Sequence, residues 1–111
     1  MVTNDSSIHR KNPEDLTVRH EPSAQRFAVR LNKKIGYLSY ENRGWDILDY
    51  AHVFVPPEFR GQGIAAQLTK TALDYARKNG FAVIPSCPYV DYYLRKHPEY
   101  NDVVVSQESP G

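Results

Sequence analysis

The sequence predicts a mixed α/β (α+β) fold: an antiparallel β meander, a strand–helix–strand crossover and a short C-terminal helix. Three observations carry this. Apolar residues alternate with period two from Leu16 to Val55, with only short turns between the runs. The spacing then becomes helical over residues 62–78. A short apolar run, Phe81-Ala82-Val83-Ile84, follows and is bounded by Pro85.

Residues 1–15 are polar, lack periodicity and include Asn12-Pro13, so they read as a flexible arm preceding a domain of residues 16–111. Phe27, Val29 and Leu31 alternate with Ala28 and Arg30. Asn32-Lys33-Lys34 then turns the chain, Ile35 to Tyr40 resumes the pattern, and Glu41-Asn42-Arg43-Gly44 makes a second turn. A long strand over residues 45–55 ends at Pro56-Pro57, which cannot donate ladder hydrogen bonds. Connections this short make these strands antiparallel, because a parallel return needs a dozen or more residues.

In the helical stretch, Ile64, Ala65, Leu68, Ala72, Leu73 and Ala76 form one face, Arg77 and Lys78 occupy the last turn, and Gly80 supplies the stop. Residues 81–84 are expected as a buried strand parallel to the 45–55 strand, joined by a right-handed crossover. A shorter helix is expected from Tyr89 to about Lys96, halted by His97-Pro98. Val103-Val104-Val105 is expected as an edge strand.

The 111 residues carry 14 Lys plus Arg and 13 Asp plus Glu, a formal net charge of +1, with 41% hydrophobic and 24% charged residues. That composition describes one small globular domain and excludes disorder of the whole chain. The basic residues are scattered, which argues against nucleic acid as the main partner. Cys87 is the only cysteine, so an internal disulfide and a Cys-pair zinc site are excluded. No metal site is expected. There is no apolar run long enough to span a membrane and no signal-peptide layout at the N-terminus. The expectation is a cytoplasmic protein in a reducing compartment, with no membrane partner, acting as a monomer or weak dimer.

The stretch richest in chemical information joins the long strand to the helix: Arg60-Gly61-Gln62-Gly63-Ile64-Ala65. Closely spaced glycines let several backbone N–H groups converge with no Cβ in the way, and such a nest at a helix N-terminus suits a phosphate. A P-loop is excluded, because Lys70-Thr71 has no glycine before it. The dinucleotide fingerprint G-x-G-x-x-A is formally met by residues 61–66, but the preceding strands are antiparallel and no acidic residue ends the next strand to hold a ribose. The remaining pattern, Arg or Gln, two residues, Gly, one residue, then Gly or Ala, is met at every position.

That last pattern is the acetyl-CoA loop of the GNAT superfamily of N-acetyltransferases. Residues from about Phe27 to Val105 resemble its small single-domain branch. The likeness is carried by His52-Val53-Phe54-Val55-Pro56, by the loop, by Ile84-Pro85-Ser86-Cys87-Pro88-Tyr89-Val90 and by His97-Pro98-Glu99-Tyr100. The resemblance implies acetyl-CoA as cosubstrate, with its pyrophosphate on the amides of Arg60, Gly61, Gln62, Gly63, Ile64 and Ala65. It also implies a pantetheine arm between the two splayed strands, paired with backbone near Phe54 and Val55, and an amine as acceptor. The alternative is a non-catalytic CoA-binding module acting through a protein partner.

Acetyl transfer needs a neutral amine, a donor for the oxyanion and an outlet for the CoA thiolate. His52 is the candidate base, three residues before the end of the cofactor strand. Strict alternation would put it on one face with Leu48, Tyr50 and Phe54. Cys87 precedes Pro88, which favours the first helical position, so Cys87 is expected as the N-cap of the second helix, where a thiolate is stabilised. It is the candidate acetyl relay or cofactor contact. Tyr89, Tyr92 and Tyr93 form a further constellation; the resemblance implies a tyrosine on this helix as acid for the leaving thiolate, a place within reach of Tyr92 or Tyr93, Tyr92 foremost. Asp49 is a further option as a residue orienting water or His52.

Overall fold

The computed structural model describes residues 17–105. The expected N-terminal arm lies outside these residues. One five-stranded sheet forms in the order β1 (Val18–Glu21), β2 (Arg26–Leu31), β3 (Lys34–Asn42), β4 (Ile47–Phe54) and β5 (Ala82–Ile84). The first three pairings are antiparallel and β4 pairs with β5 in parallel. The crossover is helix α1 (Ile64–Asn79), and helix α2 (Pro88–Lys96) follows β5.

Several boundaries differ from the sequence expectation for identifiable reasons. β3 continues to Asn42, and the Arg43 N–H donates to the Ile47 carbonyl at 2.9 Å, so the turn moves on to residues 43–46. Trp45 therefore stands 92% exposed at the turn instead of opening a strand. Phe81 is drawn into the helix stop: Gly80 adopts φ +78°, and the Phe81 N–H donates to the Ala76 carbonyl. Val103–Val105 does not form an edge strand. Residues Pro98–Val103 coil into a 3-10 turn, leaving one parallel bridge between Val83 and Val104.

The consequential difference lies within β4. Ser39 pairs with His52 but Tyr40 pairs with Tyr50, so Ala51 is an extra residue opposite β3, a β-bulge. A bulge reverses the alternation beyond it. Val53, paired with Leu38, returns to the core face, whereas His52 and Phe54 point to the opposite face with Ser39 and Tyr37. The expected common face for His52, Leu48 and Tyr50 is thus corrected, and His52 is exposed.

Both helices lie on the Leu48/Tyr50 face. Leu68, Ala72 and Leu73 of α1 and Val90 and Leu94 of α2 share one core with Phe27, Leu38, Leu48, Tyr50 and Val83. Tyr50 is completely buried, and its hydroxyl donates to the Ala72 carbonyl at 2.6 Å. Burial, with Tyr40 and Tyr75 nearby, pushes its pKa far above that of a free phenol, so it stays a donor at any physiological pH. A second link ties the C-terminal turn to α1: the Tyr100 hydroxyl donates to Asp74 at 2.6 Å, and Lys70 holds the other carboxylate oxygen at 2.9 Å. Burial and the bond to Asp74 push Tyr100 up to about 12. At Asp74 burial acts upward, but the bonds from Tyr100 and Lys70 outweigh it and hold the carboxyl below its usual range.

Two outcomes follow from this packing. Tyr50→Phe removes one buried hydrogen bond without a cavity, so it should cost about 1 kcal/mol and lower Tm by roughly 4–8 °C, read by thermal unfolding. A carboxyl whose folded pKa is depressed stabilises above its unfolded pKa and loses that contribution as pH falls through the folded value. Wild type should therefore exceed Asp74→Asn in stability at neutral pH. The gap should close below about pH 4, the unfolded carboxyl range, in urea titrations across pH.

Candidate functional site

The site is built where β4 and β5 part. Their parallel rungs run only from Ile47/Ala82 to Asp49/Ile84. Pro85 has no N–H to continue them, and the Ser86 N–H turns back to the Ile84 carbonyl at 3.0 Å. The Cys87 N–H makes the last bridge across the gap, to the Tyr50 carbonyl at 2.9 Å. Beyond it β4 runs on without a partner on that side among the described residues.

A cavity of about 420 Å³ opens along this free edge. Val53, Phe54 and Val55 form one wall, Arg60, Gly61, Gly63, Ile64 and Ala65 form the end, and Phe59, Ala66 and Tyr89 complete the lining. Seven of the eight residues expected to bind the cofactor are gathered here. Gln62 is exposed and does not line the cavity.

The loop glycines are required by the backbone. Gly61 and Gly63 adopt φ of +81° and +80°, the left-handed region, and a Cβ at either would meet nothing within 4 Å. Gly63 caps α1, whose first turn holds no acidic side chain. The first amides of that turn have no intrahelical acceptor and carry the positive end of the helix dipole. This fits a pyrophosphate. Arg60 folds back over the loop: its Nε donates to the Val55 carbonyl at 2.8 Å, and its guanidinium sits 5.9 Å from the centre of the Phe54 ring. The Val55 carbonyl, an expected partner for pantetheine, is thus already engaged by the chain itself.

The residues expected to do chemistry are not brought together in the cavity. Cys87 is the N-cap of α2 with Pro88 at the first helical position, as its sequence predicts, and it is 4% exposed within the core. His52 stands on the opposite face of the sheet, its ring centre 6.0 Å from that of Tyr37. Tyr92 is 53% exposed, with Lys96 Nζ 5.4 Å from its ring centre. Tyr93 is buried and stacked on His97 at 3.9 Å. The phenol that lines the cavity is Tyr89, in the first turn of α2, and burial together with Tyr93 and Tyr92 raises its pKa. Sequence reasoning grouped these tyrosines but chose Tyr92. The available signal was position, since the start of the helix faces the splayed strands and its later turns do not.

Because Gly63 faces open space, Gly63→Ala tests the backbone alone. It should destabilise the chain by about 1–2 kcal/mol, the cost of an L-residue in the left-handed region, measured by urea denaturation. An unchanged midpoint would mean that the loop relaxes out of that conformation.

With this geometry in place, similarity to known proteins identifies the lineage. The profile of the GCN5-related N-acetyl-transferase family matches residues 26–103. Protein NATD1 from Mus musculus is 35% identical over 85 residues, covering 75% of this chain and 77% of that protein. Protein NATD1 from Danio rerio is 32% identical over 89 residues, covering 77% and 81%. The NMR solution structure of a GCN5-like protein from Staphylococcus aureus superposes with a TM-score of 0.67 at 24% identity, covering 86% of this chain and 93% of that one, and so shares the fold. By the family profile and the NATD1 relatives, the chain belongs to the GCN5-related N-acetyltransferase family.

Proposed function

We propose that the protein transfers an acetyl group from acetyl-CoA to an amine. The observation that supports this reading best is the cavity along the unpaired edge of β4, closed at one end by the left-handed glycines and the start of α1, which no side chain caps. Acetyl-CoA supplies an activated acetyl thioester when bound. The amides of Gly61, Gly63, Ile64 and Ala65 hold its pyrophosphate, with Arg60 released from the Val55 carbonyl as a second anion contact. The arm extends along Val55 and Val53 toward Cys87.

Within this reading His52 takes the amine's proton from the open face of the sheet. Tyr89, kept protonated by burial, donates to the departing thiolate in preference to the exposed Tyr92. Cys87 either relays the acetyl group through its sulfur or forms the wall beside it. A positioned acid or base contributes roughly 10²–10⁴-fold in rate.

The reading is tested in two stages. Acetyl-CoA should raise Tm in a concentration-dependent manner, and the rise should shrink for Arg60→Ala. Free-thiol release in a broad amine panel then separates transferase from binding module, since stabilisation without any thiol release would favour the module. Tyr89→Phe should lower kcat at least tenfold while Tyr92→Phe stays near wild type; the reverse order would return the role to Tyr92. If Cys87 is a relay, intact-protein mass spectrometry with acetyl-CoA should show an acetylated species that Cys87→Ala lacks.

A further inference from the structure

Asp49 occupies the last rung before β4 and β5 part, one residue ahead of the Tyr50 carbonyl that receives the Cys87 N–H. It is only 6% exposed. Its Oδ2 accepts from Arg43 Nε at 3.2 Å, but its Oδ1 is buried with no hydrogen-bond partner among the described residues. A carboxylate oxygen left unpaired in such a place is costly and calls for a donor from outside the chain.

The surroundings indicate what kind of donor. Asp49 pairs across the sheet with Glu41, and Arg43 bridges both carboxylates, reaching Glu41 at 3.1 Å. Among the described residues, two carboxylates against one guanidinium leave one negative charge uncompensated. Asp49 alternates with the core residues Leu48 and Tyr50 and so belongs to the other face of the sheet, the one bearing His52 and Tyr37 and lying away from both helices. Arg43 is about half exposed, so the group is reached from solvent on this side.

We propose that Asp49 Oδ1 anchors an ammonium group of the acceptor, so that the favoured acceptors carry a second cationic nitrogen apart from the one that is acetylated. The separation of roles follows from charge. An ammonium paired with a carboxylate is held protonated and has no lone pair with which to attack a carbonyl. The nitrogen at Asp49 therefore orients the acceptor, and the distant one reacts. Asp49 and Val53, at the inner end of the cavity, pair with Glu41 and Leu38, three residues apart on β3, so the bulged stretch between them spans about 10 Å at the ordinary rise, which suits a diamine with an extended alkyl spacer.

The inference rests on the acetyl-transfer reading, and its test keeps the two apart. Free-thiol release is measured for straight-chain α,ω-diamines and for the monoamines of equal chain length, in wild type, Asp49→Asn and Glu41→Gln, with the acetyl-CoA Tm shift recorded for each protein. Wild type should favour diamines at least tenfold in kcat/KM. Asp49→Asn should bring that ratio close to one while keeping the Tm shift, and Glu41→Gln, which removes the surplus charge but keeps Oδ1, should weaken the preference without abolishing it. Turnover without diamine preference in wild type, or a preference that survives in Asp49→Asn, overturns the anchor and leaves the transferase reading intact. Loss of the Tm shift in Asp49→Asn alone overturns it too, by making Asp49 a structural residue. A wild-type protein that acetyl-CoA does not stabilise fails at the earlier reading, and the anchor falls with it.

Discussion

The structure depends on the early end of the contact between β4 and β5. Three parallel rungs hold the two strands together, and then Pro85 and the turn at Ser86 pull β5 away. An unpaired strand edge inside a protein exposes N–H and C=O groups that need partners. Here the edge borders a cavity instead of another strand. The Cys87 bridge to Tyr50 fixes where the opening starts, and the glycine loop before α1 fixes where it ends.

The extra residue at Ala51 acts with that opening. By reversing the alternation of β4, it lets Val53 return to the core side while His52 and Phe54 turn to the face that the helices leave free. One strand thus serves two surfaces: the anchoring core through Leu48 and Tyr50, and an open face bearing His52, Tyr37 and the Asp49–Arg43–Glu41 group. The division suits a group-transfer protein, in which one reactant lies along a buried edge and the other approaches from an exposed face. The buried bond from Tyr50 to Ala72 and the Tyr100–Asp74–Lys70 link keep α1, and so the loop at its start, fixed against the sheet.

The parts of this arrangement that local chemistry dictates were legible in the sequence. The closely spaced glycines at positions 61 and 63 mark a loop with room for converging amides, Gly80 a helix stop, and Pro88 after Cys87 a helix start; the stop and the start are found so, and both loop glycines adopt left-handed backbone. Register was not legible. Nothing in the alternation of residues 45–55 marks Ala51 as unpaired, because a bulge is specified by the partner strand and by the need to splay. The three valines at 103–105 have the propensity of a strand, but Val83 offers only one rung, and the preceding chain is committed to the turn anchored by Tyr100. Which tyrosine of α2 meets the cavity is not contained in their spacing; the one sequence signal is Tyr89's position at the start of the helix, next to the splayed strands.

In the proposed function the unpaired edge of β4 and the glycine loop form one continuous acetyl-CoA site. An amide-resolved NMR titration of the isotopically labelled chain tests it most directly. Addition of acetyl-CoA should move the amide signals of Gly61, Gly63, Ile64 and Ala65 together with those of Val53 and Val55, along one saturation curve. Perturbation confined to other parts of the chain, or loop signals that stay fixed at saturating acetyl-CoA, would contradict it.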